Sequence, residues 1–255
     1  MSADFDFLHL PEIDSTNSEA RRQAEAGADA PLWIIADSQT AGRGRRGRQW
    51  QSPVGNLMTT LLLPGAAAPA SSVQAGQLAF VAGLALHATI AHYLAGQEIE
   101  VSLKWPNDVL VEGAKISGIL LETASTGQGR PDWLAIGLGL NLAHHPEDTP
   151  YPATSLAAHL SQVPHNLAAL GKLAEHFDRY FKIWQQQRFP AIADAWRQQA
   201  RNLGAAIEVR LENRTLKGIF EDIDAQGALI LRLDDGATQV IATGDVFFPT
   251  EDKND

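Results

Sequence analysis

The segment Gln39-Thr-Ala-Gly-Arg-Gly-Arg-Arg-Gly-Arg48 packs four of the chain's 20 lysines and arginines into the six positions from Arg43 to Arg48. The chain as a whole is acidic, with a formal net charge of −10, so this run is a local excess that calls for an anionic partner. Glycines leave backbone amides open to phosphate, and arginine forks supply charge-assisted bonds; a solvated basic loop is the plainer alternative. Gly42, Gly44 and Gly47 also fit a Gly-x-Gly-x-x-Gly pattern. A dinucleotide site, however, needs such glycines to open a helix, with an acid ~20 residues on. Here every intervening residue is arginine and Ser52-Pro53 and a strand come next, so the Rossmann reading is set aside.

Three further clusters could meet a ligand. In Lys104-Trp-Pro-Asn-Asp108 the proline forces Trp105 into extended geometry, and the turn aims Asn107 and Asp108 away from the sheet edge. Lys115-Ile-Ser-Gly-Ile119 opens a strand with a lysine, and Gly118 permits close backbone approach. Gly137-Leu-Gly-Leu-Asn141 pairs two glycines with a terminal asparagine. Each alone is equally readable as a turn or as strand punctuation. His87, His92 and His144-His145 have no acids at ligand spacing and read as core or surface residues, so no metal site from protein side chains is expected.

The elements that must position these residues follow from hydrophobic period. Strands are expected at Phe5–Ile13, Leu32–Ala36, Leu57–Leu63, Val101–Lys104, Val109–Val111, Lys115–Glu122 and Trp133–Leu142. A helix starts at Ser15-Thr-Asn-Ser-Glu19, with Thr16 and Glu19 forming a capping box, and runs to about Ala26. A long apolar helix is expected over Gln74–Leu94, and two amphipathic ones over Leu167–Gln187 and Ile192–Gln199. Ser38–Pro53 and Pro146–Pro152 read as loops. After Leu203-Gly204 the pattern becomes short alternating runs, Ile207–Leu211, Leu216–Ile223, Ala228–Leu233 and Gln239–Ala242. Asn213-Arg214, Gln226-Gly227 and Asp235-Gly236 supply the turns between them.

The 255 residues are 45% hydrophobic and 20% charged, ordinary for a globular protein. Absence of cysteine excludes a disulfide framework, a thiolate nucleophile and cysteine-ligated zinc. The acidic balance argues against DNA binding driven by overall charge. No apolar run is read as approaching the ~20 residues of a membrane span, and the start carries acids where a secretory signal carries basic residues. A soluble, cytoplasmic protein with no membrane partner is expected.

In order and spacing, Ser15-Thr-Asn17, the arginine loop, Lys104-Trp-Pro-Asn-Asp108, the Lys115–Gly118 strand and Gly137–Asn141 resemble the catalytic domain of the biotin protein ligases. The resemblance runs from about Phe5 to Phe248 and is to the short form. Only 14 residues precede Ser15, so the DNA-binding helix-turn-helix of the family's regulatory members is not expected. The fold it implies is α+β: a mixed-sheet catalytic domain of the biotin/lipoate ligase type (1–203), a small SH3-like β-barrel (204–250) and a tail (251–255).

The reaction it implies has two steps. The biotin carboxylate attacks the α-phosphate of ATP, which carries Mg2+, to give biotinyl-5′-AMP and pyrophosphate; a lysine of a biotin carboxyl carrier protein then displaces AMP and forms an amide. By motif, Ser15, Thr16, Asn17, Gln39, Arg43, Gly44, Arg45, Lys115 and Gly118 would bind biotin. Arg43, Arg45, Arg46, Arg48, Trp50, Lys104, Asn107 and Asn141 would bind ATP or the adenylate. Lys115, Arg45 and Asp108 would serve catalysis, Asp108 by orienting the incoming amine. The enzyme would be a monomer or a homodimer. A lipoate ligase shares this adenylate logic, and a nucleic-acid-binding regulator is the reading from another class.

Overall fold

The computed structural model describes residues 6–125, 130–149 and 151–248. Phe5, at the start of the expected first strand, the end of the expected small domain and the 251–255 tail lie outside them.

Two β-sheets share one apolar core. The first has seven strands: β1 (Phe7–Ile13), β2 (Leu32–Gln39), β3 (Leu57–Pro64), β4 (Val101–Lys104), β5 (Asp108–Val111), β6 (Ala114–Ala124) and β7 (Trp133–Leu140). Their order is β1-β2-β3-β7-β6-β5-β4. β1 runs parallel to β2 and every other pair is antiparallel, so the sheet is mixed.

Alternation along the strands decides what each face meets. Trp33, Ile35, Leu61, Leu63, Leu134 and Ile136 join the main core with α2 (Ser72–Tyr93) and α3 (Asn166–Gln199). Ile34, Leu62 and Ala135 face the other way, onto Ala20 of α1 (Thr16–Glu25). On β7 that second face continues as Gly137 and Gly139, so beyond α1 the sheet offers a floor without side chains.

α2 is long and apolar enough to cross a membrane, contrary to the sequence expectation, but most of it is buried inside the protein. Its apolarity is accounted for by packing between the sheet and α3. Ser71 caps its start by accepting from the Gln74 N–H. The two expected C-terminal helices form one element, α3, bent where Arg188 takes a φ of 64° just before Pro190.

The second sheet is antiparallel, with β8 (Ala206–Arg210), β9 (Thr215–Ile223), β10 (Leu229–Arg232), β11 (Thr238–Ile241) and β12 (Asp245–Phe247) in the order β11-β10-β9-β8-β12. Four of these strands match the alternating runs; β12, three residues long, carries too little pattern to be read. The two sheets are keyed together by Trp105, whose indole N–H donates to the Gly227 carbonyl at 2.9 Å. Gly227 has a φ of 88°, and a Cβ there would lie 2.5 Å from Phe80.

Candidate active site

A cleft opens on the glycine face of the seven-stranded sheet, between the N-terminus of α1 and the arginine loop. Ser15, Thr16, Asn17 and Gln39 form one end of it. The expected capping box is absent. Ser15 is the cap residue and makes no side-chain cap bond, while Thr16 spends its polar groups elsewhere. Its backbone N–H donates to Gln39 Oε1 at 2.8 Å and its hydroxyl lies 3.1 Å from the same oxygen. Glu19 accepts instead from Arg22 and Gln23.

Thr60 Oγ1 donates to Asn17 Oδ1 at 2.6 Å, and Asn17 Nδ2 donates to Glu122 Oε2 at 2.8 Å. A Cβ on Gly137 would lie 2.3 Å from Asn17 Oδ1, so only glycine lets this network sit against β7.

The arginine loop arches over the cleft through a single 3-10 turn at Arg45–Gly47, where Arg46 and Gly47 take φ of 55° and 71°. Its charges are met by the protein itself, in place of the unanswered repulsion that the sequence suggests. Arg43 pairs with Glu122 at 3.2 Å. Arg45 donates to Asn107 Oδ1 at 2.9 Å and to Thr243 Oγ1 at 2.8 Å. Arg46 and Arg48 both pair with Asp245, the first residue of β12. Burial lowers the Arg45 pKa, opposed by the Asp245 and Asp108 charges.

Trp50 folds back under the loop onto the glycine floor: Cβ atoms on Gly139 and Gly118 would lie 2.4 Å and 3.2 Å from its ring. A one-residue bulge in β6 brings Lys115 to the same place. Val109 pairs with Ser117 but Leu110 pairs with Lys115, leaving Ile116 extra. This reverses the strand's alternation, so Lys115 and Gly118, three apart, share a face, with Lys115 Cε 3.4 Å from the Gly118 Cβ position. The Lys115 ammonium pairs with Asp108 Oδ1 at 2.7 Å.

Most of the expected residues thus converge. Ser15, Thr16, Asn17, Gln39, Arg43, Gly44, Arg45, Arg48, Trp50, Asn107, Asp108, Lys115 and Gly118 all line the cleft. Three do not. Arg46 turns away to Asp245. Lys104 borders adjoining grooves, among the rings of Tyr151, Phe247 and Phe248. Asn141 is only 3% exposed and its side-chain amide donates to the Thr154 carbonyl, so it braces the chain behind the cleft. Glu122, Tyr151 and Asp245 went unread. Of these Glu122 had a signal, because the two-residue period carries the Gly118 face on to Leu120 and Glu122.

Residues 10–141 match the model of the Biotin/lipoate A/B protein ligase family, and residues 203–248 that of the Biotin protein ligase C terminal domain. The chain is 39% identical to a biotin–[acetyl-CoA-carboxylase] ligase of Paracoccus denitrificans, over 94% of this chain and 99% of that one. It is 35% identical to the enzyme of the same name from Mycobacterium tuberculosis, over 93% and 86%. Among solved structures it is similar to the biotin protein ligase of Aquifex aeolicus in complex with biotin and ATP, with a TM-score of 0.78 and 27% identity over 95% of this chain and 97% of that one.

Proposed function

The chain belongs to the biotin/lipoate A/B protein ligase family, and from that premise we propose how its cleft carries out the family's chemistry. The activity is that of an ATP-dependent biotin–protein ligase. Biotin is activated as biotinyl-5′-AMP and its acyl group passes to a lysine of a biotin carboxyl carrier protein. No covalent bond to the enzyme is needed, so the lack of cysteine is no obstacle.

Both reactants of the first step are anions, and the main catalytic task is to hold them together while charge moves. One observation carries this reading: a slot floored by Gly118, Gly137 and Gly139 runs from a preformed polar network to the Lys115 ammonium, beneath three arginines. Ser15, Thr16, Asn17 and Gln39 receive the polar rings of biotin, and the glycines leave room for its apolar tail once Trp50 lifts off them. Lys115 holds carboxylate and α-phosphate together as a compact cation. Arg43, Gly44 and Arg45 close over the adenylate, Trp50 covers the adenine, and Arg48 and Asn107 bear on the nucleotide. Asn141 acts indirectly, by bracing the segment that runs beside Lys115.

Asp108 is released from Lys115 as negative charge arrives, and then orients the incoming lysine amine. Magnesium would enter on ATP and neutralise its phosphates.

We assign residues 1–203 to the catalytic unit, 204–250 to an SH3-like barrel and 251–255 to a tail, and take the enzyme to be a cytoplasmic monomer or homodimer that binds neither DNA nor membrane. The test is ATP–pyrophosphate exchange with biotin or lipoate as the acid. Exchange with biotin alone is expected; exchange with lipoate alone would reassign the substrate.

A further inference from the structure

Tyr151 lies in the stretch that the sequence presents as a proline-rich loop, yet it borders the main cleft and the grooves beside it. Its neighbours tie its position to that of Lys115. The Lys115 N–H donates to the Pro152 carbonyl at 2.8 Å, and the Thr154 N–H donates to the Lys115 carbonyl at 2.9 Å. The side chain of Asn141 holds the same segment from behind, donating to the Thr154 carbonyl at 2.9 Å. The Tyr151 ring centroid is then 5.4 Å from Lys115 Nζ and 5.6 Å from Lys104 Nζ. Trp50 approaches the same Lys115 ammonium at 5.7 Å.

An aromatic ring attracts an ammonium through its negative face, most strongly where water is scarce. Two rings therefore bound Lys115 Nζ, and Asp108 takes its third side. Tyr151 also stands beside both lysines at once and so helps two like charges share a small space. Burial lowers the Lys104 pKa; the nearby Asp108 opposes that effect and the Lys115 charge adds to it.

We propose that Tyr151 is a positioning residue for adenylate formation: its ring, paired with Trp50, holds the Lys115 ammonium where biotin carboxylate and α-phosphate meet. When a substrate anion draws Lys115 away from Asp108 and Trp50 turns to the adenine, the Tyr151 ring keeps the ammonium in the cleft. The ring, and not the hydroxyl, performs this task. The inference rests on the ligase reading, and one experiment separates the two.

The full-length chain and its Tyr151→Phe, Tyr151→Trp and Tyr151→Leu variants are compared in biotin-dependent ATP–pyrophosphate exchange, with folding checked by thermal melting. Tyr151→Phe and Tyr151→Trp should keep kcat within about twofold of the parent, because the ring remains. Tyr151→Leu should lose kcat by about tenfold to thirtyfold, as expected for one partly desolvated cation–ring contact, with the biotin KM little changed. Tyr151→Met replaces leucine if that variant does not fold. A normal kcat in the ringless variant, an equal loss in Tyr151→Phe, or an effect confined to KM overturns the role of Tyr151. Absence of exchange in the parent chain overturns the ligase reading itself.

Discussion

Lys115 and Asp108 face each other across neighbouring strands, Nζ to Oδ1 at 2.7 Å, each side chain only 16% exposed. The pair exists because the bulge at Ile116 turns Lys115 onto the Gly118 face. The cation proposed to grip two anions thus rests on an internal counter-charge.

Replacing Lys115 with methionine should abolish pyrophosphate exchange. It also strands a largely buried carboxylate, at a cost of about 1–3 kcal/mol, equivalent to a fall of about 2–12 °C in melting temperature for a chain of this size. Adding Asp108→Asn should restore most of the melting temperature and none of the exchange. Exchange in the single variant would remove Lys115 from the chemistry.

Asp245→Asn should loosen the arginine loop. Arg46 and Arg48 both lean on that carboxylate, and pairs this exposed contribute ~0.2–1 kcal/mol each. Tryptic cleavage between Arg43 and Arg48 should speed up by roughly twofold to thirtyfold, and biotin with ATP should restore protection. Unchanged cleavage would show that the glycine-rich backbone holds the loop without help.

Arg45→Gly should separate synthesis of the adenylate from its retention. Arg45 spans the mouth of the cleft from Asn107 to Thr243, and a charge-assisted bond from it to the intermediate is worth ~1.5–3 kcal/mol. Its loss should speed escape by roughly tenfold to a hundredfold, while Lys115 and Arg43 sustain exchange. Incubated with biotin, ATP and an unrelated protein, the variant should biotinylate that protein's lysines. Full exchange with strict carrier specificity would sink the role.

Gly139→Ala should evict Trp50 from the floor, since its Cβ would fall 2.4 Å from the ring. Overpacking of this kind costs about 1–3 kcal/mol, so the melting temperature of the chain should fall by about 2–12 °C. A melting temperature equal to that of the parent would mean that Trp50 leaves the slot freely.

Asp14 carries the pH prediction. The hydrogen bond from Arg22 lowers its pKa from 3.8 to about 2, despite some burial. A carboxylate depressed on folding adds stability that is full above its unfolded pKa and is lost as pH falls through the folded one. Asp14→Asn should therefore melt below the parent at pH 6, and the gap should close between about pH 4 and pH 2. The same carboxylate accepts from the Ser15 N–H at 2.7 Å, so its loss should also weaken biotin binding. A gap that persists at pH 2 would point to packing instead of charge.

Much of this site was legible because its residues are consecutive: Ser15–Asn17, Arg43–Arg48 and Lys104–Asp108 announce themselves by composition. What escaped was set by geometry between distant segments. Nothing near Tyr151 says that Pro152 will pair with Lys115, and nothing near Asp245 says that β12 will start beneath Arg48. The bulge was equally hidden; strict alternation would have sent Lys115 and Gly118 to opposite faces. Thr16 failed as a cap because Gln39, 23 positions on, competes for its hydroxyl. The main strands were read well because burial on one face or both leaves a pattern that no distant partner alters.

Asp245 follows Arg48 by 197 positions, and this has a bearing on synthesis of the chain. As the polypeptide leaves the ribosome, the polar end of the slot and the lysine strand are complete long before β12 exists. Over that interval Arg46 and Arg48 lack the carboxylate they share in the finished molecule. The pairing that steadies the arginine loop therefore forms only when β12 joins its sheet.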